Sequence, residues 1–161
     1  MKHRVLKLTI ASLGLLASSL ALAGVEVIDP NVRAVPPNAP ASAAFMGLVA
    51  DSDGLALVKA DSDVAKTVEL HTHVHDNGVM RMRPVEKIPL KKGEEVRLQP
   101  GGYHIMLIGL KRPLKPGDTV EIELRFSDGS KQEISAPVRR IDMRMKMHGG
   151  QMRGGMPMQA H

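Results

Sequence analysis

Between residues 25 and 138 the chain nowhere sustains a helical period. Apolar residues alternate with polar ones or run for a few positions, and each run stops at turn chemistry. The stops are Asp51-Ser52-Asp53-Gly54, Asp76-Asn77-Gly78, Pro100-Gly101-Gly102, Pro116-Gly117-Asp118 and Asp128-Gly129. Between them, strands are expected over residues 25–35, 42–50, 55–60, 67–75, 79–85, 94–98, 103–110, 119–126 and 131–138. Short strands of this kind bury their apolar faces by laying sheet on sheet, so the expected class is all-β, an antiparallel β-sandwich. Phe45, Tyr103 and Phe126 are the only aromatic residues. The core must therefore be built from Val, Leu and Ile.

The two ends read differently from this body. Lys2, Arg4 and Lys7 precede an uncharged, Leu/Ala-rich run that closes on Ala21-Leu22-Ala23, the pattern of a secretory signal peptide over residues 1–23 with cleavage before Gly24. The run is short against the roughly 20 apolar residues of a spanning helix, so no integral membrane span is expected after cleavage. At the other end, residues 142–161 intersperse Met143, Met145, Met147, His148, Met152, Met156, Met158 and His161 with Gly, Arg, Lys and Gln. That segment has nothing with which to bury a core and is expected to be a disordered Met/His-rich tail. The sandwich domain is thus expected over residues 24–141. The basic charge of the chain sits in the leader and the tail, and the body between them is slightly acidic.

Composition removes several kinds of chemistry. The 161 residues contain no cysteine, which excludes disulfide frameworks, thiol nucleophiles, Cys-based zinc or iron–sulfur sites and blue-copper thiolates, and leaves none to carry a lipid after the cleavage site. With so few aromatics there is no base-stacking platform, and no nucleic-acid partner is expected. What is over-represented is methionine and histidine, 11 and 7 residues.

Their placement matters more than their number. Glu69, His71, His73 and His75 alternate along one expected strand, so they share a face while Val68, Leu70, Thr72 and Val74 share the other. After the Asp-Asn-Gly turn, Met80 and Met82 lie on one face of the next strand and Arg81 and Arg83 on the other. His104 and Met106 repeat the i, i+2 arrangement. A lone strand methionine is usually core filler and a lone histidine usually solvated. Methionine that gathers beside histidine on the polar side of strands, and again in a coreless tail, points instead to metal. Thioether sulfur is a poor ligand for Mg, Ca or Zn and a good one for Cu(I), while imidazole suits both copper oxidation states, so copper is the metal inferred.

The spacing adds a resemblance. His71, ten residues, Met82, twenty-one residues, His104, one residue, Met106 is similar to the pattern of the periplasmic copper chaperones of the PCuAC family. Val68-Glu69-Leu70-His71, Gly78-Val79-Met80-Arg81-Met82-Arg83 and Pro100-Gly101-Gly102-Tyr103-His104-Ile105-Met106-Leu107 resemble the flanks of that pattern. The resemblance implies a cupredoxin-like sandwich that is not an enzyme, is located in the periplasm, and holds one Cu(I) by His71, Met82, His104 and Met106. It also implies copper delivery to respiratory oxidase assembly, with a copper-accepting oxidase subunit (CuA or a related site) and a Sco-like thioredoxin-fold protein as partners. His73 and His75 exceed the family pattern, and they and the tail are expected as secondary Cu(II) donors. Three rival readings stay open at this level: a copper-sequestering tolerance protein, a metal-free β-sandwich interaction module, and a copper-dependent oxidase, for which the spacing offers no acid–base pair or substrate pocket.

Overall fold

In the computed structural model, residues 24–141 are described. The expected leader (1–23) and the Met/His-rich segment (142–161) lie outside the described residues. Ten strands follow in order: β1 (Val25–Arg33), β2 (Ala41–Ala50), β3 (Ala56–Asp61), β4 (Ala65–Asp76), β5 (Val79–Pro84), β6 (Ile88–Pro89), β7 (Glu95–Leu98), β8 (His104–Leu110), β9 (Thr119–Phe126) and β10 (Lys131–Arg139). All nine expected strands occur, with ends shifted by a few residues. The tenth, β6, pairs with β3 over only two residues, too short a run to leave a period in the sequence.

The strands form two groups. One runs β5-β4-β8-β2-β1, with β7 also on β2; the other runs β10-β9-β3-β6. Every ladder is antiparallel except the seam between the groups, where β1 and β10 pair in parallel at Val32↔Val138 and Arg33↔Arg139. The inner faces of both groups close on one core that includes Val32, Leu48, Leu57, Ile105, Leu107, Ile122, Leu124 and Phe126. Aliphatic packing does supply the core, as the shortage of aromatics requires, with Phe126 as its one large ring at 2 % exposure.

Two local features position the site. Asp29 sits at φ 43° in β1, where the register with β2 slips between Ile28 and Asn31. The β4–β5 hairpin turns through Asn77 and Gly78 at φ 49° and 79°, the pair of positive angles that an Asn-Gly turn supplies and that matches strand twist. This turn sets the register that opposes His71 to Pro84, His73 to Met82 and His75 to Met80.

Candidate metal centre

Directly paired residues in a sheet present their side chains to the same face. On β4, Leu70 is buried in the core while Glu69, His71 and His73 face outward, half-buried, and His75 is exposed. Across to β8, His71 opposes His104 and Glu69 opposes Met106. Across from β8 to β2, Met106 opposes Ala43. The β5 edge adds Met82 opposite His73. The β4–β5 hairpin and the distant strand β8 thus bring imidazoles and thioethers to one outer face of the sandwich, beside Ala43 of β2.

There they surround a cavity of about 230 Å³ lined by Met82, His104, Met106, His73, Phe45 and Arg33, with Ala43, Pro100 and Gly101 completing the wall. The ring of His104 lies 5.2 Å from that of His73, 5.8 Å from that of His71 and 6.4 Å from that of Phe45, centroid to centroid. Among the four residues singled out by spacing, Met82, His104 and Met106 line the cavity itself. His71 stands beside it, directly across from His104. His73 lines the cavity as well, a position that strand alternation allowed but that only the pairing with β5 selects. Arg33, Ala43 and Phe45 come from β1 and β2, and no sequence signal linked them to the site.

The hydrogen bonds fix which nitrogens are free. His104 Nδ1 is 2.9 Å from the Gly102 carbonyl oxygen, which can only accept, so Nδ1 carries the proton and Nε2 keeps its lone pair. Burial holds His104 below the usual 6.5; His73, His71 and Arg33 depress it further, against the opposing pull of the Gly102 carbonyl. At neutral pH it is therefore an uncharged donor. His71 Nε2 donates to Glu69 Oε2 at 2.8 Å. The other nitrogen of His71, Nδ1, is buried without a hydrogen-bond partner, and so is Nδ1 of His73. Buried polar atoms are rarely left unpaired. Here two lie on one strand face next to a third imidazole with a free nitrogen.

The donor set decides what could bind. Among the described residues no three His, Asp or Glu side chains are gathered closely enough to hold a metal by themselves, and the further soft donors on the cavity wall are Met82 and Met106. Thioether sulfur selects soft ions. Met82 is 52 % exposed on the edge strand, so one wall of the site opens to solvent and to any incoming macromolecule. Met46, by contrast, is 2 % exposed in the core and is the one described methionine with an ordinary packing role.

Comparison with known proteins gives the family and the fold. The family described as "Putative lipoprotein LpqE-like" matches residues 25–138. A protein named "Putative lipoprotein Lxx21020" from Leifsonia xyli subsp. xyli is 37% identical over 118 residues, which is 72% of this chain and 70% of the relative. Among solved structures, the Cu(I) form of DR1885 from Deinococcus radiodurans is 35% identical, with a TM-score of 0.54, covering 77% of this chain and 82% of that one. The copper-bound PCuAC domain from PmoF2 has a TM-score of 0.61 at 21% identity, covering 75% of this chain and 97% of that one. At that identity the second likeness speaks for the fold, which is the cupredoxin-like sandwich expected from the sequence.

Proposed function

The chain belongs to the LpqE-like family, has the fold of PCuAC copper-binding domains, and on that premise we propose that it is an exported Cu(I) chaperone and not an enzyme. The observation that carries this reading is the cavity in which two thioethers meet the imidazoles of His104 and His73, with unpartnered buried nitrogens on His73 and on the adjacent His71. Its ligands are His71, Met82, His104 and Met106. His71 and His104 are chosen over His73 because each has its second nitrogen fixed, by the Glu69 carboxylate and the Gly102 carbonyl. That is the outer-shell support metal-binding histidines ordinarily have. His73 on the cavity wall is the reserve donor, and His73 and His75 suit Cu(II) when the ion is oxidised.

In this role the residues divide the work. His104 Nε2 and His71 Nδ1 donate as neutral nitrogens, and Met82 and Met106 supply soft sulfur that does not titrate. All four ligands are uncharged, so the bound ion keeps its single positive charge. Phe45, Ala43 and Pro100 keep one side of the cavity apolar. Exposed Met82 is the ligand that an acceptor displaces first. The mature protein begins at Gly24 in the periplasm and hands copper to an oxidase subunit, at CuA or a related site, alongside a Sco-like protein. The likeness to Cu(I)-DR1885 supports the cargo.

X-ray absorption of the Cu(I)-loaded protein tests the ligands: sulfur and imidazole nitrogen are expected in one shell, and a shell of nitrogen alone would refute the assignment. Mixing the loaded protein with an apo CuA domain tests delivery. Copper that stays on the chaperone would make the protein a sequestering one.

A further inference from the structure

The β4–β5 hairpin carries a second His/Met pair that the centre above does not use. His75 and Met80 directly oppose one another, one rung beyond His73 and Met82. Both are exposed, Met80 at 48 %, so neither has a packing role. Opposed residues hold their Cβ atoms about 4.5–5.5 Å apart on one face, close enough for an imidazole nitrogen and a thioether sulfur to share one ion. Strand geometry sets this rung about 7 Å from His73–Met82 on the same face. The Met80 methyl lies 4.0 Å from where a Cβ on Gly101 would stand, and Gly101 is a wall of the cavity. The exposed thioether therefore leans over the mouth of the cavity.

We propose that His75 and Met80 form a solvent-facing Cu(I) station that exchanges the ion with the cavity through His73 and Met82. The proposal rests on the copper-binding reading above and adds a route to it. The step is ligand exchange without redox change. Copper enters and leaves as Cu(I); a Cu–S bond to Met82 forms as the bond to Met80 breaks, and a His73 nitrogen then replaces that of His75. At each point the ion keeps at least one soft or imidazole ligand. Soft thioether and imidazole together select the same ion class as the cavity, but two ligands on an exposed edge hold it more weakly than four. That order of affinities directs uptake inward and leaves the outer rung open to an acceptor.

The test uses the full chain with methyl-13C methionine, titrated anaerobically with Cu(I) into excess. The Met80 methyl signal is assigned by its loss in Met80→Leu, a substitution at an exposed position that nearly conserves volume. The first equivalent is expected to shift the Met82 and Met106 methyls, and excess Cu(I) to shift the Met80 methyl and the His75 ring together. The His75→Gln/Met80→Leu protein should pass its copper to bathocuproine disulfonate more slowly than the parent, because the outer ligands of the exit route are gone. If the Met82 and Met106 methyls move but the Met80 methyl stays fixed in excess Cu(I), or if the double variant transfers at the parent rate, the station is overturned and the cavity reading stands. If the Met82 and Met106 methyls stay fixed, the cavity reading falls, and the station with it.

Discussion

Glu69 offers a sharp test of the centre, because it touches no metal in the proposed scheme and acts only through His71. Its Oε2 accepts the His71 Nε2 proton at 2.8 Å, which fixes the tautomer and leaves Nδ1 for the ion. Its side chain is 42 % exposed, so this hydrogen bond adds only about 1 kcal/mol to folding, as a typical intramolecular hydrogen bond does. Its effect on metal affinity is larger, because removing such an outer-shell partner costs about 10–100-fold, or roughly 1.4–2.8 kcal/mol at 1.4 kcal/mol per decade. Partial exposure places Glu69→Ala near the lower end, about tenfold. Glu69→Gln keeps an acceptor oxygen for the Nε2 proton and loses only the charge, so its loss should be smaller. Competition against a Cu(I) chelator at pH 7, with denaturation curves to confirm equal stability, measures both. An Ala variant with wild-type affinity, or a Gln variant weaker than Ala, would remove His71 from the shell and hand its place to His73.

Met106→Leu should weaken Cu(I) binding strongly in the same competition assay, whereas Met46→Leu, a near-isosteric change in the core, should cost less than about 1.5 kcal/mol of stability and leave copper affinity alone; equal affinity losses would refute the division of the methionines. His104 is held below 6.5 in the folded protein, and the unfolded chain titrates near 6.5, so between the two values the unfolded chain binds more protons. Stability of the metal-free protein should therefore be level above about pH 6.5 and fall as the pH drops below it. Urea denaturation at a series of pH values reads this, and a His104→Gln protein with the same slope would disprove it. Cu(I) affinity should fall over the same range, about pH 7 to 5, as the imidazoles protonate while sulfur does not. Gly78→Ala should cost about 1–2 kcal/mol, read by thermal or chemical denaturation. Gly78 sits at φ 79° with open space around it, so the cost is one of backbone strain and not of a clash.

The local parts of this molecule could be read without coordinates, since period two and turn chemistry are properties of neighbouring residues. The Asn77-Gly78 turn, the co-facial His71, His73 and His75, and the opposed Met80/Met82 and Arg81/Arg83 faces all follow from residues within one hairpin. What the sequence could not supply is anything that depends on which distant strands become neighbours. Met46 and Met106 both sit in apolar strands, yet one is core and the other faces outward, because the pairing Ala43↔Met106 fixes the face of Met106 while Met46 points to the opposite side of β2. Arg33 and Phe45 join the cavity only because β2 lies beside β8, and β1 beside β2, in the sheet order. The parallel seam of β1 with β10, and the closing of His73 into a cavity wall opposite residues of β1, β2 and β8, are decided in the same way. Alternation along a strand is dictated by backbone geometry and is already present in the chain. Register between strands is set by the burial of a shared core, and that comes into being only when the chain has folded.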